Sequence, residues 1–200
     1  MLDQTIIRGP KSPRRGSLAA SVVAGWSVWM CIFLAFKILP AAQAQDLVGE
    51  YQKKAIFIGK LARYVEWPKE KMETGVPLVI GVFGADNATD QIREVVSRQK
   101  INGRDVVVKH CATVQEIVGC HILFVSNSEE ARLSAVLGKV RGDPVLTVGE
   151  CDTFIKKGGI INLRANGREV TMEYNLRNAK RSDVKLNPLL FNLGEVPAGG

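Results

Sequence analysis

Two neighbouring pairs, His110-Cys111 and Cys120-His121, are the residues of this chain that most invite chemistry. Imidazole and thiolate are zinc ligands, but a finger or ribbon uses short ligand pairs whose spacing these residues do not match. A Cys–His nucleophile needs a free thiolate of lowered pKa beside its base. Adjacent residues of a strand point to opposite faces, so neither pair is ready-made for that role. A covalent reading remains. Cys111 ends one apolar run and Cys120 starts the next, with eight residues between them, which suits a Cys111–Cys120 disulfide. Cys120–Cys151 is the alternative pairing. Neither a metal site nor a catalytic set is expected from these residues.

The other candidates are polar groups placed to touch a ligand or a partner. Gly81-Val82-Phe83-Gly84 lacks the third glycine of a dinucleotide fingerprint and the lysine of a phosphate loop, so no cofactor is expected. Gly84 begins a turn after a strand, and Asp86 sits where open α/β sheets bind ligands, at the carboxyl end of that strand. Lys157, before the Gly158-Gly159 turn, is either solvated or a ligand contact. Asn162 interrupts the apolar run Ile160, Ile161 and Leu163; it satisfies a local backbone group or lines a pocket mouth. The expected ligand set is therefore Gly84, Asp86, Lys157 and Asn162. Arg177, Lys180 and Arg181 form a basic segment that is solvated or meets an acidic partner. Tyr64 and Trp67 pack helix on sheet, or contact a partner or a second copy.

The elements that must position these residues follow from periodicity. Leu47, Tyr51, Ala55, Ile58, Ala62 and Val65 recur at helical spacing and predict a helix over 47–67, stopped by Pro68. Its apolar residues cover more than one face, since Ile56 and Phe57 follow Ala55, which suggests that part of it meets a partner. Residues 77–83, 105–110, 120–126 and 144–148 read as strands. Residues 90–99 and 128–139 read as helices, and a capping box at Thr113 and Glu116 predicts a short one. Residues 160–165 and 169–174 flank Asn166-Gly167, a hairpin turn. Residues 177–185 read as a last helix. Strands separated by helices imply parallel βαβ units with both sheet faces covered. The expected fold is one three-layer α/β domain, with a mostly parallel mixed sheet of five or six strands and an antiparallel edge hairpin.

The first 44 residues point to the compartment. Arg8, Lys11, Arg14 and Arg15 precede an apolar run from about Leu18 to Leu39, followed by Ala42-Gln43-Ala44. That order is the basic region, apolar region and cleavage site of a secretory signal peptide. The run is also long enough to cross a bilayer uncleaved, as an anchor. Either way residues 45–200 face a non-cytoplasmic compartment as one domain. They carry 22 Lys and Arg against 19 Asp and Glu, a mixed balance that does not suggest nucleic-acid binding.

Taken in order, several segments resemble the YfiR-like family of exported bacterial proteins. They are residues 51–57, 60–68 (KLARYVEWP), 80–84 (IGVFG), Asn102-Gly103-Arg104, 120–126 (CHILFVS), 144–148 (PVLTV), Phe154 and 157–163 (KGGIINL). The resemblance implies a non-enzymatic, periplasmic regulator that represses an inner-membrane diguanylate cyclase or related sensor by binding its extracytoplasmic domain. It also implies control of cyclic-di-GMP and biofilm formation, and a dimer with internal disulfides. Three cysteines in 45–200 cannot form two such bridges. A periplasmic small-ligand-binding protein without a cyclase partner is the alternative.

Overall fold

The computed structural model describes residues 41–84, 86–166 and 169–193. In chain order, helix α1 (Ala41–Leu61) leads to a short strand β1 (Val65–Glu66), then β2 (Leu78–Phe83), α2 (Asp86–Val96) and β3 (Val106–Cys111). Next come β4 (Ile122–Val125), a 3-10 segment (Asn127–Arg132), α3 (Leu133–Lys139) and β5 (Leu146–Gly149). The hairpin β6 (Ile161–Asn166) and β7 (Glu169–Tyr174) follows, then α4 (Leu176–Arg181), β8 (Lys185–Leu186) and a 3-10 segment (Pro188–Leu193). The main sheet has the order β3-β2-β4-β5-β6-β7. Its first five strands run parallel, and β7 returns antiparallel at the edge. The expected fold class is therefore the observed one. The signal peptide expected over 1–44 lies outside the described residues up to position 40, and among the described residues no helix is long and apolar enough to cross a membrane.

The continuous apolar runs exist because the central strands are covered on both faces. Ile122 and Phe124 of β4 pack with Ile80, Val82, Leu146 and Val148 under α1 and α2. Leu123 and Val125, one residue out of phase, join Phe83 and the buried face of α3, Leu133, Val136 and Leu137. Gly59 of α1 faces α2, where a Cβ would make an ordinary van der Waals contact with Val96 at 3.5 Å. The apolar width of α1 is used in the same way. Tyr51, Phe57, Ile58 and Leu61 are all buried, and between Gly49 and Leu61 only Ile56 among the large apolar residues is substantially exposed, at 49%.

Three expected helices differ. The first ends at Leu61 rather than at Pro68: Arg63 and Tyr64 close the last turn with tight bonds to Lys60 and Leu61. Val65 and Glu66 then pair with Leu186 and Lys185. Trp67 precedes proline, which disfavours helical backbone, and the pairing with β8 supplies the alternative. The same pairing shortens the basic helix to Leu176–Arg181. At Thr113 the capping-box bonds form, with Glu116 accepting from the Ala112 N–H and the Thr113 hydroxyl, but they close a turn and not a helix.

Phe154 shows how glycine placement shapes the second core. Its ring is fully buried, and a Cβ at either Gly149 or Gly159 would overlap it. The ring occupies the room that two missing side chains leave. Phe154→Ala should therefore cost about 3–5 kcal/mol in urea unfolding, and Gly149→Ala about 1–3 kcal/mol by overpacking. In the Phe154→Ala background the Gly149→Ala change should cost much less, because the clash has gone; additive losses would contradict this account.

Candidate functional site

The carboxyl ends of β4 and β5 carry a buried polar network. Ser126 and Glu150 each follow directly on their strand, and α1 crosses above them. Lys54, only 3% exposed, reaches down from α1 to Glu150 Oε2 at 2.5 Å, and also pairs with Glu50 one helical turn earlier. Glu150 Oε1 accepts from the Asn127 backbone N–H at 2.7 Å, the Tyr51 hydroxyl at 3.1 Å and the Ser126 hydroxyl at 3.2 Å. The Lys54 ammonium also stands 5.3 Å from the centre of the Tyr51 ring.

Electrostatics explain why this charge pair survives burial. Desolvation pulls the Lys54 ammonium down, but attraction and hydrogen bonding to Glu150, then Glu50, raise it above its ordinary value. The Tyr51 phenol is pushed up by burial and by the charge on Glu150. Both shifts keep a cationic lysine and a neutral tyrosine in the fold. Beside the network lies a cavity of about 420 Å³, lined by Glu50, Lys54, Glu150, Leu163, Arg164 and Thr171 among others. Arg164 is held by ion pairs to Asp152 and Glu173.

The residues singled out from sequence are dispersed. Gly84, with φ of +127°, lines a cavity of about 350 Å³ with His110, Cys111, Ser128, Glu129 and Arg132. Asp86 opens α2. Lys157 precedes β6 and lines a third cavity, at the opposite end of the sheet. Among the described residues no cavity contains both Gly84 and Lys157. Asn162 is fully buried and lines none of these cavities. Neither atom of its side-chain amide has a hydrogen-bond partner within the described residues. It therefore neither satisfies a backbone group nor forms a pocket mouth.

Trp67 acts as a clamp: its indole N–H donates to the His121 carbonyl at 3.2 Å, and its ring meets the His121 ring edge-on at 6.0 Å. The Tyr64 carbonyl accepts from Asn187 N–H at 2.8 Å. Arg177, Lys180 and Arg181 are exposed on α4. His121 is engaged at both ring nitrogens, with Val79 N–H and the Lys71 carbonyl, and burial holds its pKa down.

Cys111 and Cys120 come together from either side of β2. A Cβ at Gly81 would collide with the Cys120 sulfur and stand 3.3 Å from that of Cys111, so the glycine provides the space in which they meet. The Cys111 thiol donates to the Glu116 carbonyl at 3.6 Å. The neighbouring Cys111 thiol and the charges of Lys109 and Lys71 lower the Cys120 pKa, and Cys111 is raised in turn. The three cysteines among the described residues are all buried, and Cys151 lies apart, 3.8 Å from the Thr153 hydroxyl.

The YfiR/HmsC-like family profile matches residues 51–195. This chain belongs to that family. That membership supports reading the chain as a non-catalytic extracytoplasmic regulator. Tyr51, Lys54, Ser126 and Glu150 all fall inside the matched span. A crystal structure of a conserved domain protein from Vibrio cholerae O1 biovar El Tor str. N16961 is similar with a TM-score of 0.49 and 9% identity. The similarity covers 74% of this chain and 60% of that one, so this chain spans less than two thirds of its length.

Sequence reading missed the Lys54–Glu150 network, because Lys54 and Glu50 read as ordinary polar positions of a helix. The available signal was positional: Ser126 and Glu150 both terminate parallel strands, where ligand sites form. Lys54→Met should lower stability by about 3–5 kcal/mol at pH 7, since it strands a buried carboxylate. Raised folded pKa values for Lys54 and Tyr51 give stability that is complete below their unfolded values, about 10, and is lost as pH rises through the folded ones. Urea unfolding across alkaline pH should therefore show a shallower decline in Lys54→Met than in the wild type. A parallel decline would remove Lys54 from the account.

Proposed function

We propose that this protein restrains an inner-membrane diguanylate cyclase, or a related membrane sensor, by binding its extracytoplasmic domain from the periplasm. Family membership over residues 51–195 is the observation that carries this reading. A groove of about 400 Å³ lined by Leu176, Lys180, Lys185 and Leu186 is the proposed contact surface. Leu176 is 53% exposed, and Arg177 extends the basic side of the same helix. An apolar anchor rimmed by Lys180 and Lys185, with Asp183 as the one acidic residue of the same groove, leaves a net positive rim that suits a partner segment that is apolar and predominantly acidic. Tyr64 and Trp67 act behind this surface, since β1 pairs with β8 and fixes the strand that follows α4.

A second reading is favoured by the cavity beside Lys54: a small periplasmic ligand bound at the carboxyl ends of the strands. The two readings separate in one experiment. Tagged protein would be used to capture partners from detergent-solubilised native membranes, with bound proteins identified by mass spectrometry. Recovery of a membrane cyclase or sensor is expected, falling about tenfold or more in an Arg177→Glu/Lys180→Glu variant, as for charge reversal at a complementary interface. Failure to recover a membrane partner even after crosslinking would overturn the repressor reading and leave the ligand reading standing.

We also propose that Cys111 and Cys120 form a disulfide in the oxidising compartment, since both sulfurs lie beside Gly81. Non-reducing mass spectrometry of the exported protein should show a mass lower by two hydrogens, with only Cys151 alkylated after unfolding. Alkylation of all three cysteines would refute the pairing.

A further inference from the structure

The ends of the sheet are chemically opposite. Where β4 and β5 finish, every buried charge has a counter-charge. At the other end, where β5 and β6 begin, cations gather without one. Arg141 follows α3, Lys157 precedes β6 and Arg181 ends α4, and all three line one cavity of about 400 Å³ that has no Asp or Glu in its wall. The only polar contact of their side chains among the described residues is a long one, 3.4 Å from Lys157 Nζ to the Glu130 carbonyl. Elsewhere Arg93, Arg98, Arg132 and Arg164 each pair with a carboxylate.

Helix carbonyl ends attract cations, which accounts for an arginine after α3 and another at the end of α4. It does not account for Lys157, which comes from a different segment, or for an acid-free cavity between the three. The wall adds neutral donors. Thr147, buried in β5, accepts the Ile160 N–H with its hydroxyl oxygen at 3.0 Å, and this leaves the hydroxyl proton to be donated. Asn178 and Ser182 complete the polar lining.

We infer that this cavity is a binding site for a phosphate-class polyanion, with Arg141, Lys157 and Arg181 as its charged ligands. Two guanidinium forks and an ammonium supply directional donors to a phosphate group, and charge-assisted bonds of that kind are the strong ones. Like cations held around one space repel each other until an anion neutralises them, so occupancy should stabilise the fold. The site is separate from the Lys54 cavity and from the groove on α4, and it does not depend on the repressor reading.

The test uses the exported protein with inorganic pyrophosphate, and with vesicles of phosphatidylglycerol or of phosphatidylcholine. Calorimetry should detect pyrophosphate binding that weakens about tenfold or more in Arg181→Ala and in Lys157→Ala, the scale of losing one charge-assisted contact. The Arg98→Ala variant, at an exposed helix position far along the chain, should bind as the wild type does. Pyrophosphate should also raise the melting temperature in proportion to its occupancy. Binding of pyrophosphate without vesicle binding identifies a soluble phosphorylated ligand. Phosphatidylglycerol binding that needs the same three residues identifies a lipid phosphate, and either result supports the site. No pyrophosphate or vesicle binding by the wild type, or equal binding by an Arg141→Ala/Lys157→Ala/Arg181→Ala triple variant of unchanged circular dichroism, would overturn it.

Discussion

Burying the Glu150 carboxylate at the end of β5 commits two separate segments, α1 and the turn after β4, to neutralising it. A carboxylate removed from water is tolerable only when its lone pairs are used and its charge is matched. Lys54 matches the charge, and Tyr51, Ser126 and the Asn127 N–H use the remaining lone pairs. Lys54 and Tyr51 lie three residues apart on one face of α1, so meeting Glu150 fixes both the rotation and the axial position of that helix. The apolar residues at 55, 58 and 62 then fall onto β2 and β4. Apolar packing supplies most of the stability of such a layer, but it is permissive about register. The polar network is what makes one register better than its neighbours.

That division of labour explains what was legible in the sequence. Apolar runs at 77–83, 120–126 and 144–148 read as strands because burial on both faces demands continuous hydrophobicity, a purely local signal. Asn166-Gly167 marked the hairpin for the same local reason. The end of α1 was not legible, since Val65 and Trp67 prolong a helical pattern and only pairing with Lys185 and Leu186 pulls this segment out of it. The partner strand was itself hidden in a basic stretch that reads as helix. Long-range pairing of two-residue strands leaves no periodicity to detect.

Candidate sites were legible in part, for related reasons. Cys111 and Cys120 could be matched by position, but the residue that lets them meet is Gly81, on the strand between them. Gly84 was placed correctly at a strand end, while Lys157 belongs to the other end of the sheet; only strand direction separates them. Glu150 and Lys54 are 96 residues apart and each looks ordinary alone. Their chemistry arises from burial, which a sequence shows for apolar residues and conceals for polar ones.

The two partners of Lys54 are not equivalent, and this bears on what the neighbouring cavity can do. Glu150 is its inner partner, with a side chain only 4% exposed and held by several donors, whereas the Glu50 side chain is 37% exposed and reaches Lys54 from the helix surface. Withdrawing Glu150 would strand charge in the interior. Withdrawing Glu50 would return a carboxylate to water and leave the Lys54–Glu150 pair intact. A carboxylate arriving from the cavity could take the place of Glu50 with little change in the charge around Lys54, because one anion replaces another. Such an exchange would break a contact within α1 itself and leave the tie from Lys54 to the end of β5 in place, so the register of the helix on the sheet would not change.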